Sequence, residues 1–224
     1  MAKKKQPDGK TRETLYDKKN QSSSLSTFTK VTMIISVILI ALVAVLWIFQ
    51  STQTHKQEAE AQAARGKSTL VVYFSCTGTT KVCAEKIAKT RDADVFRILP
   101  AKAYTEKDLN WKDDGSRSTL EMKDPSSRPA IRNKVENMDQ YDVIFLGYPI
   151  WWNEAPRIID TFLESYDFSG KTIIPFCTSG SSEIGPSVES LKTLAPKATW
   201  QSGYRFADRA SQAEVNEWLK TVKL

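Results

Sequence analysis

The stretch that decides the fold is residues 69–80, which read Thr-Leu-Val-Val-Tyr-Phe-Ser-Cys-Thr-Gly-Thr-Thr. Residues 69–75 form a continuous run of β-favouring side chains, which is typical of a strand covered on both faces in a parallel sheet. The polar turn that follows leads directly into residues 80–89, where apolar side chains recur at helical spacing. We therefore predict a strand, a tight turn and a helix in succession.

The same alternation of strand-like and helix-like segments continues to residue 224. Further strands are predicted at residues 95–99, 141–147, 172–177 and 198–203, and further helices around residues 158–163 and at residues 188–194 and 212–221. Repeated units of this kind build a parallel sheet between two layers of helices. The predicted fold class is α/β, a doubly wound five-stranded parallel sheet of order 2-1-3-4-5.

Residues 104–137 are the least regular part of this region. Their few apolar side chains stand among charges without clear periodicity, so we expect one helix or two short ones and a long loop through Pro125 and Pro129. Loops of this length in a compact domain are often functional.

The N-terminal part of the chain has a different organisation. Residues 1–30 predict a disordered basic tail, residues 31–50 a transmembrane helix, residues 51–66 a spacer, and residues 67–224 the folded domain. The apolar run at residues 31–49 has no charge and spans nearly 30 Å as a helix, which matches the hydrocarbon core of a bilayer. A buried core helix and a cleaved signal peptide are the alternatives. An uncleaved signal-anchor is favoured, because the run exceeds the usual apolar segment of a signal peptide.

The charges separate in the same way. The chain carries a net charge of +6. Residues 1–66 contain 10 basic and 5 acidic residues, and residues 67–224 contain 22 basic and 21 acidic residues. A nearly neutral domain argues against nucleic-acid binding. Basic residues concentrate before the apolar run, so we expect a cell-membrane protein with a single span, a cytoplasmic N terminus and the folded domain on the outer face.

Cysteine and histidine usage excludes several kinds of site. Three cysteines, Cys76, Cys83 and Cys177, are too few for a disulfide framework. The single histidine, His55, precedes the domain, which excludes a Ser-His-Asp triad, a Cys-His pair and a histidine-containing zinc site from it. Cys76 is either a redox-active thiol at a helix N terminus or a small residue tolerated in a tight turn, and the second interpretation is favoured.

The turn after the first strand predicts a phosphate site. A helix N terminus presents free N–H groups and a partial positive charge, and glycine lets the backbone curl around an anion. An ordinary hydroxyl-capped helix is the alternative. The predicted sheet order favours the phosphate, because ligands bind where strands one and three end side by side. The candidate residues are Ser75, Thr77, Gly78, Thr79 and Thr80.

Two further loops leave the same edge of the predicted sheet. The third strand ends in Gly-Tyr-Pro-Ile-Trp-Trp-Asn at residues 147–153, where adjacent tryptophans suit a planar ring. The fourth strand ends in a small-residue loop at residues 178–185. Together with the phosphate loop they predict a nucleotide-like cofactor. The candidate ring-binding residues are Pro149, Ile150, Trp151, Trp152, Asn153, Thr178, Ser179 and Gly180.

On these three loops the sequence resembles the flavodoxin-like family over residues 68–224. The resemblance implies that FMN is the ligand, with its phosphate at residues 75–80 and its ring against Trp151 or Trp152. Small relatives often have glycine where this chain has Asn153, and soluble electron carriers of the family are usually strongly acidic. The near-neutral domain therefore argues against a soluble carrier.

The resemblance implies an electron-transferring flavoprotein. We expect a membrane-anchored reductase of a small acceptor such as a quinone, with no metal and no catalytic side chain beyond the cofactor site. The alternative is a non-catalytic electron-transfer module that docks on membrane redox partners. Residues 104–137 distinguish the two, because a wall beside the flavin favours the enzyme and an open ring edge favours the module. A scaffold that has lost FMN is disfavoured by the intact phosphate loop.

Overall fold

The computed structural model describes residues 30–54, 56 and 68–224. The chain divides into two compact units, Met1–Ala64 and Arg65–Leu224. The first unit contains helix α1, Lys30–Thr54, in which an 18-residue segment has a mean hydropathy of 3.0. The helix is long and apolar enough to cross a membrane, a property that signal sequences share. The predicted basic tail, apart from Lys30, and residues 55 and 57–66 of the predicted spacer lie outside the described residues.

The second unit is built on a parallel sheet of order β2-β1-β3-β4-β5, with β6 also pairing with β4. This confirms the predicted fold class and strand order. The register pairs Leu70 with both Asp94 and Ile144, which brings the carboxyl ends of β1, β2 and β3 to one edge. The strands are β1 (Thr69–Tyr73), β2 (Asp94–Arg97), β3 (Val143–Pro149), β4 (Thr172–Thr178), β5 (Thr199–Trp200) and β6 (Tyr204–Phe206).

The helices of this unit lie close to their predicted positions. Residues 104–137 contain a single α-helix, which is one of the two arrangements that we expected. The N-cap of this helix is Ser116, whose hydroxyl accepts a hydrogen bond from the Thr119 N–H. A 3₁₀ turn at Met138–Gln140 precedes β3. The helices are α2 (Thr79–Arg91), α3 (Arg117–Lys123), α4 (Arg157–Glu164), α5 (Gly185–Lys192) and α6 (Gln212–Thr221).

The predicted fifth strand, residues 198–203, is shorter in the structure, where β5 covers only Thr199–Trp200, and the sequence interpretation missed β6, which follows beyond the predicted range. β5 pairs with β4 through Thr172 and Thr199, and β6 pairs through Phe176 and Tyr204, so the outer strand has one extra residue between them. This is a β-bulge. Pro175 of β4 has no N–H to donate at this point. A side chain at Gly203 would place its Cβ 2.6 Å from Ile184 and 3.1 Å from the Pro175 carbonyl oxygen, so glycine lets the backbone pass closely.

The core forms two layers, one on each face of the sheet, because successive strand residues point to opposite faces. Val72 and Leu146 belong to the layer that contains Ile158 of α4 and Leu191 of α5. The opposite face packs with α2 and α6. Its core residues include Val71, Phe145, Cys83, Ile87, Val215 and Trp218. Cys83 in this layer and Cys177 in the opposite layer are fully buried and pack as small apolar core residues.

Candidate cofactor site

The three predicted loops are joined to one another at the carboxyl edge of the sheet. The Phe74 N–H donates to the Gly147 carbonyl oxygen at 2.9 Å, which aligns the ends of β1 and β3. The Ile150 N–H donates to the Thr178 carbonyl oxygen at 3.1 Å. The hydroxyl oxygens of Thr178 and Thr80 lie 2.8 Å apart in a buried hydrogen bond. Thr178 therefore links the loops after β1, β3 and β4.

The loop after β1 has the geometry of an anion site. Gly78 is the N-cap of α2 in a left-handed conformation with φ of 90°, and no side chain caps the helix. The buried Ser75 hydroxyl accepts from the Gly78 N–H at 3.1 Å, so it stabilises the turn and leaves the helix N–H groups free. The first turn carries no acidic residue. These features suit a phosphate at the N terminus of α2.

The hydroxyl groups of this loop divide into two sets. Thr77 is exposed and Thr79 is half-buried, and their hydroxyl oxygens lie 3.4 Å apart. Thr80 is only 1% exposed, because its side chain is turned toward Thr178. Thr77 and Thr79 can therefore offer hydroxyls to an anion, whereas Thr80 can offer its backbone N–H.

The loop after β3 is a tight hairpin. Trp151 and Glu154 exchange two backbone hydrogen bonds of 2.9 Å, and the two residues between them have φ of 48° (Trp152) and 64° (Asn153). Two consecutive positive φ values define a type I′ turn. Asn153 adopts the left-handed conformation that asparagine tolerates. The same conformation at Trp152 was not predicted, and it projects this side chain at the tip of the hairpin.

The two tryptophans have different surroundings. Trp151 packs edge-on against Phe74 and Tyr104, with ring centroids 5.9 and 5.5 Å apart. Trp152 is 44% exposed. Trp151 is thus held by an aromatic cluster at the carboxyl edge, and Trp152 is free to contact a ligand.

A cavity of about 430 Å³ lies between the loops after β3 and β4 and the segment at residues 104–137. Of the predicted residues, those that line it are Ile150, Trp151, Trp152, Ser179 and Gly180, whereas Pro149, Asn153, Thr178 and residues 75–80 do not. Its volume is within the range of small-molecule sites. The sequence interpretation missed five other lining residues, which are Leu109, Trp111, Ser118, Ser181 and Ser182.

The family model for flavodoxin matches residues 68–222. The chain belongs to the flavodoxin family.

Solved structures extend the comparison to the whole flavodoxin domain. A protein assigned as a flavoprotein from Bacteroides uniformis ATCC 8492 is 50% identical with a TM-score of 0.67, and the match covers 69% of this chain and 99% of that one. Another from Bacteroides eggerthii DSM 20697 is 47% identical with a TM-score of 0.66, covering 70% and 100%. A flavoprotein from Lactobacillus acidophilus NCFM, solved in complex with FMN, shares the fold at 22% identity and a TM-score of 0.53, covering 69% and 99%. Among curated proteins, none matches the chain.

In the flavodoxin domain, a cationic side chain that is distant in sequence from the three loops lies at the carboxyl edge of the sheet. Arg205 of β6 donates to the Ser179 carbonyl oxygen at 3.0 Å and lies 3.3 Å from the Glu183 carboxylate. Arg157, the basic residue nearer to the hairpin in sequence, instead pairs with Asp160 at 3.3 Å. Arg205 therefore anchors the loop after β4 and balances the charge of its one carboxylate.

Cys76 in the flavodoxin phosphate loop is a half-buried free thiol. Burial raises its pKa to about 11, although the nearby charges of Arg97 and Arg117 act in the opposite direction. Such a thiol is protonated at neutral pH and is a poor nucleophile. The structure thus favours the interpretation of Cys76 as a small residue within the turn.

Proposed function

We propose that this protein binds FMN in the flavodoxin domain and transfers electrons through it. The observation that supports this function best is the pairing of Thr80 with Thr178, which fixes an uncapped helix N terminus beside an aromatic cavity of about 430 Å³. FMN has the two features that such a site needs, a phosphate and a planar ring. Bound FMN supplies the redox chemistry, and the protein supplies binding and electrostatics.

The proposed roles of the predicted residues follow from their positions. The N–H groups at the start of α2, with the Thr77 and Thr79 hydroxyls, bind the phosphate. Gly78 shapes the turn and Ser75 stabilises it. Trp152 stacks on the ring, Trp151 and Ile150 line its pocket, and Ser179 and Gly180 contact its polar edge. Pro149, Asn153 and Thr178 hold the loops in place.

We propose the reductase over the docking module because residues 104–137 contribute to the cavity wall. Leu109 and Trp111 line the same cavity as the two tryptophans of the hairpin, and Trp111 is 67% exposed. Exposed aromatic side chains around a cavity suit a small planar acceptor such as a quinone. The alternative module draws on the same exposure, because Trp111 and Trp152 can also contact a partner protein.

Membrane anchoring is part of the proposal. Helix α1 meets the length and hydropathy requirements of a single span, and Trp47 near its C-terminal end suits the membrane interface. The excess of basic residues on the N-terminal side supports a cytoplasmic N terminus and a domain on the outer face. The electron donor would then be a membrane component.

FMN titration of the purified full-length protein in detergent tests cofactor binding. We expect one FMN per chain, quenched flavin fluorescence and a yellow protein. Trp152→Ala should weaken binding by about 0.5–1.5 kcal/mol beyond the lost contact area if Trp152 stacks on the ring. Protein that stays colourless in excess FMN contradicts the proposal.

Reoxidation of the reduced protein by a soluble naphthoquinone tests the reductase. We expect the rate to saturate with quinone concentration, and Trp111→Ala to raise the half-saturating concentration by a larger factor than it raises the dissociation constant of FMN. Trp200→Ala, which alters a tryptophan outside the cavity lining, is the matched control. A rate that does not saturate, or that is indifferent to Trp111, favours the docking module.

A further inference from the structure

A second cavity, of about 240 Å³, lies at the carboxyl ends of β1 and β2, and we call it the arginine cavity. Arg97, Leu99, Pro100, Tyr104 and Arg132 are among the residues that line it. It shares no lining residue with the cavity of the hairpin tryptophans, and it borders the phosphate loop, since Ser75 and Cys76 also line it. Tyr104 lines one cavity and Trp151 the other, and their edge-on contact at 5.5 Å is part of the wall between them.

The arginine cavity has an uncompensated positive charge. Arg97 and Arg132 have no ion pair with any acidic residue in the part of the chain that the structure describes, and none of the lining residues is acidic. The Arg97 guanidinium donates to the Ser75 carbonyl oxygen at 3.3 Å. Its remaining donors and those of Arg132 are available, and guanidinium groups match the geometry of carboxylate and phosphate oxygens.

The backbone beside the cavity is rigidly held. The Arg132 N–H donates to the Leu99 carbonyl oxygen at 2.8 Å, and the Ala101 N–H donates to the Ala130 carbonyl oxygen at 2.7 Å. The Asn133 side chain accepts from the Leu99 N–H at 2.9 Å and donates to the Arg97 carbonyl oxygen at 2.8 Å. These bonds fix the two arginines on adjacent segments, so little ordering of the backbone is required when an anion binds.

The rest of the lining is mainly apolar. Leu99 and Pro100 present hydrocarbon surface, and Tyr104 presents its ring because its hydroxyl donates to Glu121. Arg117 stacks over that ring at 4.0 Å and pairs with Glu121 at 2.6 Å, which fixes the ring in place. The cavity thus combines two cationic groups with a flat apolar surface.

We propose that the arginine cavity binds a small organic oxyanion, a carboxylate or phosphate carried on a flat apolar body, beside the phosphate loop and outside the cavity of the hairpin tryptophans. The oxyanion pairs with Arg97 and Arg132, and the apolar body packs on Pro100 and Tyr104. Binding here does not require FMN.

Calorimetric titration of the full-length protein in detergent tests the proposal with benzoate and phenyl phosphate as probes and benzamide as the neutral control. We expect saturable binding of at least one of the two anions, with one site per chain in the presence of FMN, and no binding of benzamide. Arg132→Ala should weaken that binding at least fivefold, and Arg97→Ala by a similar factor. Lys134→Ala removes a neighbouring charge outside the cavity lining and should change the affinity for the anion less than twofold.

Arg132 is exposed and its side chain has no partner among the described residues, so Arg132→Ala should fold normally, which thermal unfolding checks. Binding that is indifferent to Arg132, binding that FMN abolishes, or no saturable binding of either anion overturns the proposal. Arg132-dependent binding in a protein that fails to take up FMN supports the arginine cavity and contradicts the proposed function alone. The relative affinities of benzoate and phenyl phosphate show which oxyanion the site prefers.

Discussion

Thr80 and Thr178 join two loops through hydroxyl groups that are almost completely enclosed. A buried hydroxyl that loses its partner still carries the free-energy penalty of desolvation, and no hydrogen bond then offsets that penalty. This hydrogen bond therefore stabilises the domain and also fixes the position of the phosphate loop.

Thr178→Val should lower the free energy of unfolding by about 1–3 kcal/mol, because it leaves the Thr80 hydroxyl unsatisfied. The double variant Thr80→Val/Thr178→Val should cost less than the sum of the single variants, since it leaves no orphaned hydroxyl. Urea denaturation of the four proteins measures this coupling. Thr77→Val is the matched control, because its exposed hydroxyl should matter for FMN affinity and little for stability. Strict additivity of the two buried substitutions would contradict the assigned role.

Cys76 should show the reactivity of a thiol with a raised pKa. Because its pKa is about 11, alkylation by iodoacetamide should be slow at pH 7.5 and should rise about tenfold per pH unit until near pH 11. The unfolded thiol titrates near pH 8.5. The folded state therefore retains its proton more tightly, and the stability that this group contributes is present below about pH 8.5 and is lost as the pH rises toward 11.

Mass spectrometry after alkylation at several pH values measures the reactivity of Cys76. Cys83 and Cys177 are fully buried and should remain unmodified in the folded protein. Cys76→Ser provides the blank. Rapid modification of Cys76 at pH 7 would restore the interpretation of this residue as a redox-active thiol.

Among the elements, the hairpin at residues 151–154 has the most restricted backbone. A type I′ turn needs positive φ at both central positions, and Trp152 and Asn153 supply them without glycine. The hairpin thus presents Trp152 at the cost of a conformation that few side chains adopt readily.

Asn153→Val should destabilise the domain by about 1–2 kcal/mol, because a β-branched residue is strained in the left-handed region. Asn153→Gly should be neutral to within about 0.5 kcal/mol, since glycine populates that region freely. Thermal unfolding of both variants, with FMN titration, gives the comparison. Equal stability of the valine and glycine variants would show that the turn has another backbone geometry.

The elements that were predicted well share one property, which is that their own side chains specify them. β1, β3 and β4 are apolar throughout because helices cover both faces, and α6 has the bounds that its periodicity predicted. The wall formed by Leu109 and Trp111 depends on contacts between residues 104–137 and distant loops, which local pattern does not encode. The division of β5 from β6 depends on Pro175 in another strand, and the cation Arg205 reaches the cofactor edge through strand pairing.

For the whole molecule, the proposed membrane anchor predicts on which side of the membrane the flavodoxin domain lies. The N-terminal flank of the apolar run carries Arg12, Lys18, Lys19 and Lys30, whereas the C-terminal flank offers Lys56 and Arg65. Basic residues within about 15–20 positions of a span favour the cytoplasmic side.

Protease added to intact, wall-stripped cells should therefore digest the flavodoxin domain, and a tag at the N terminus should be protected until the membrane is lysed. Moving the charge bias with Lys18→Gln, Lys19→Gln and Lys30→Gln, and adding lysines after residue 54, should invert part of the population. A domain that survives until lysis in the unaltered protein would place it in the cytoplasm and make a soluble electron donor the better proposal.

The bulge between β5 and β6 also determines how the outer edge of the sheet meets other molecules. A long regular edge strand displays an even row of unpaired N–H and C=O groups, and such a row is a template for aggregation with the strands of another chain. Here the edge consists of a two-residue and a three-residue strand offset by one position, so the row is short and out of step. The irregularity at Pro175 and Gly203 thus makes this edge of the sheet a poor template for pairing with the strand of a neighbouring copy.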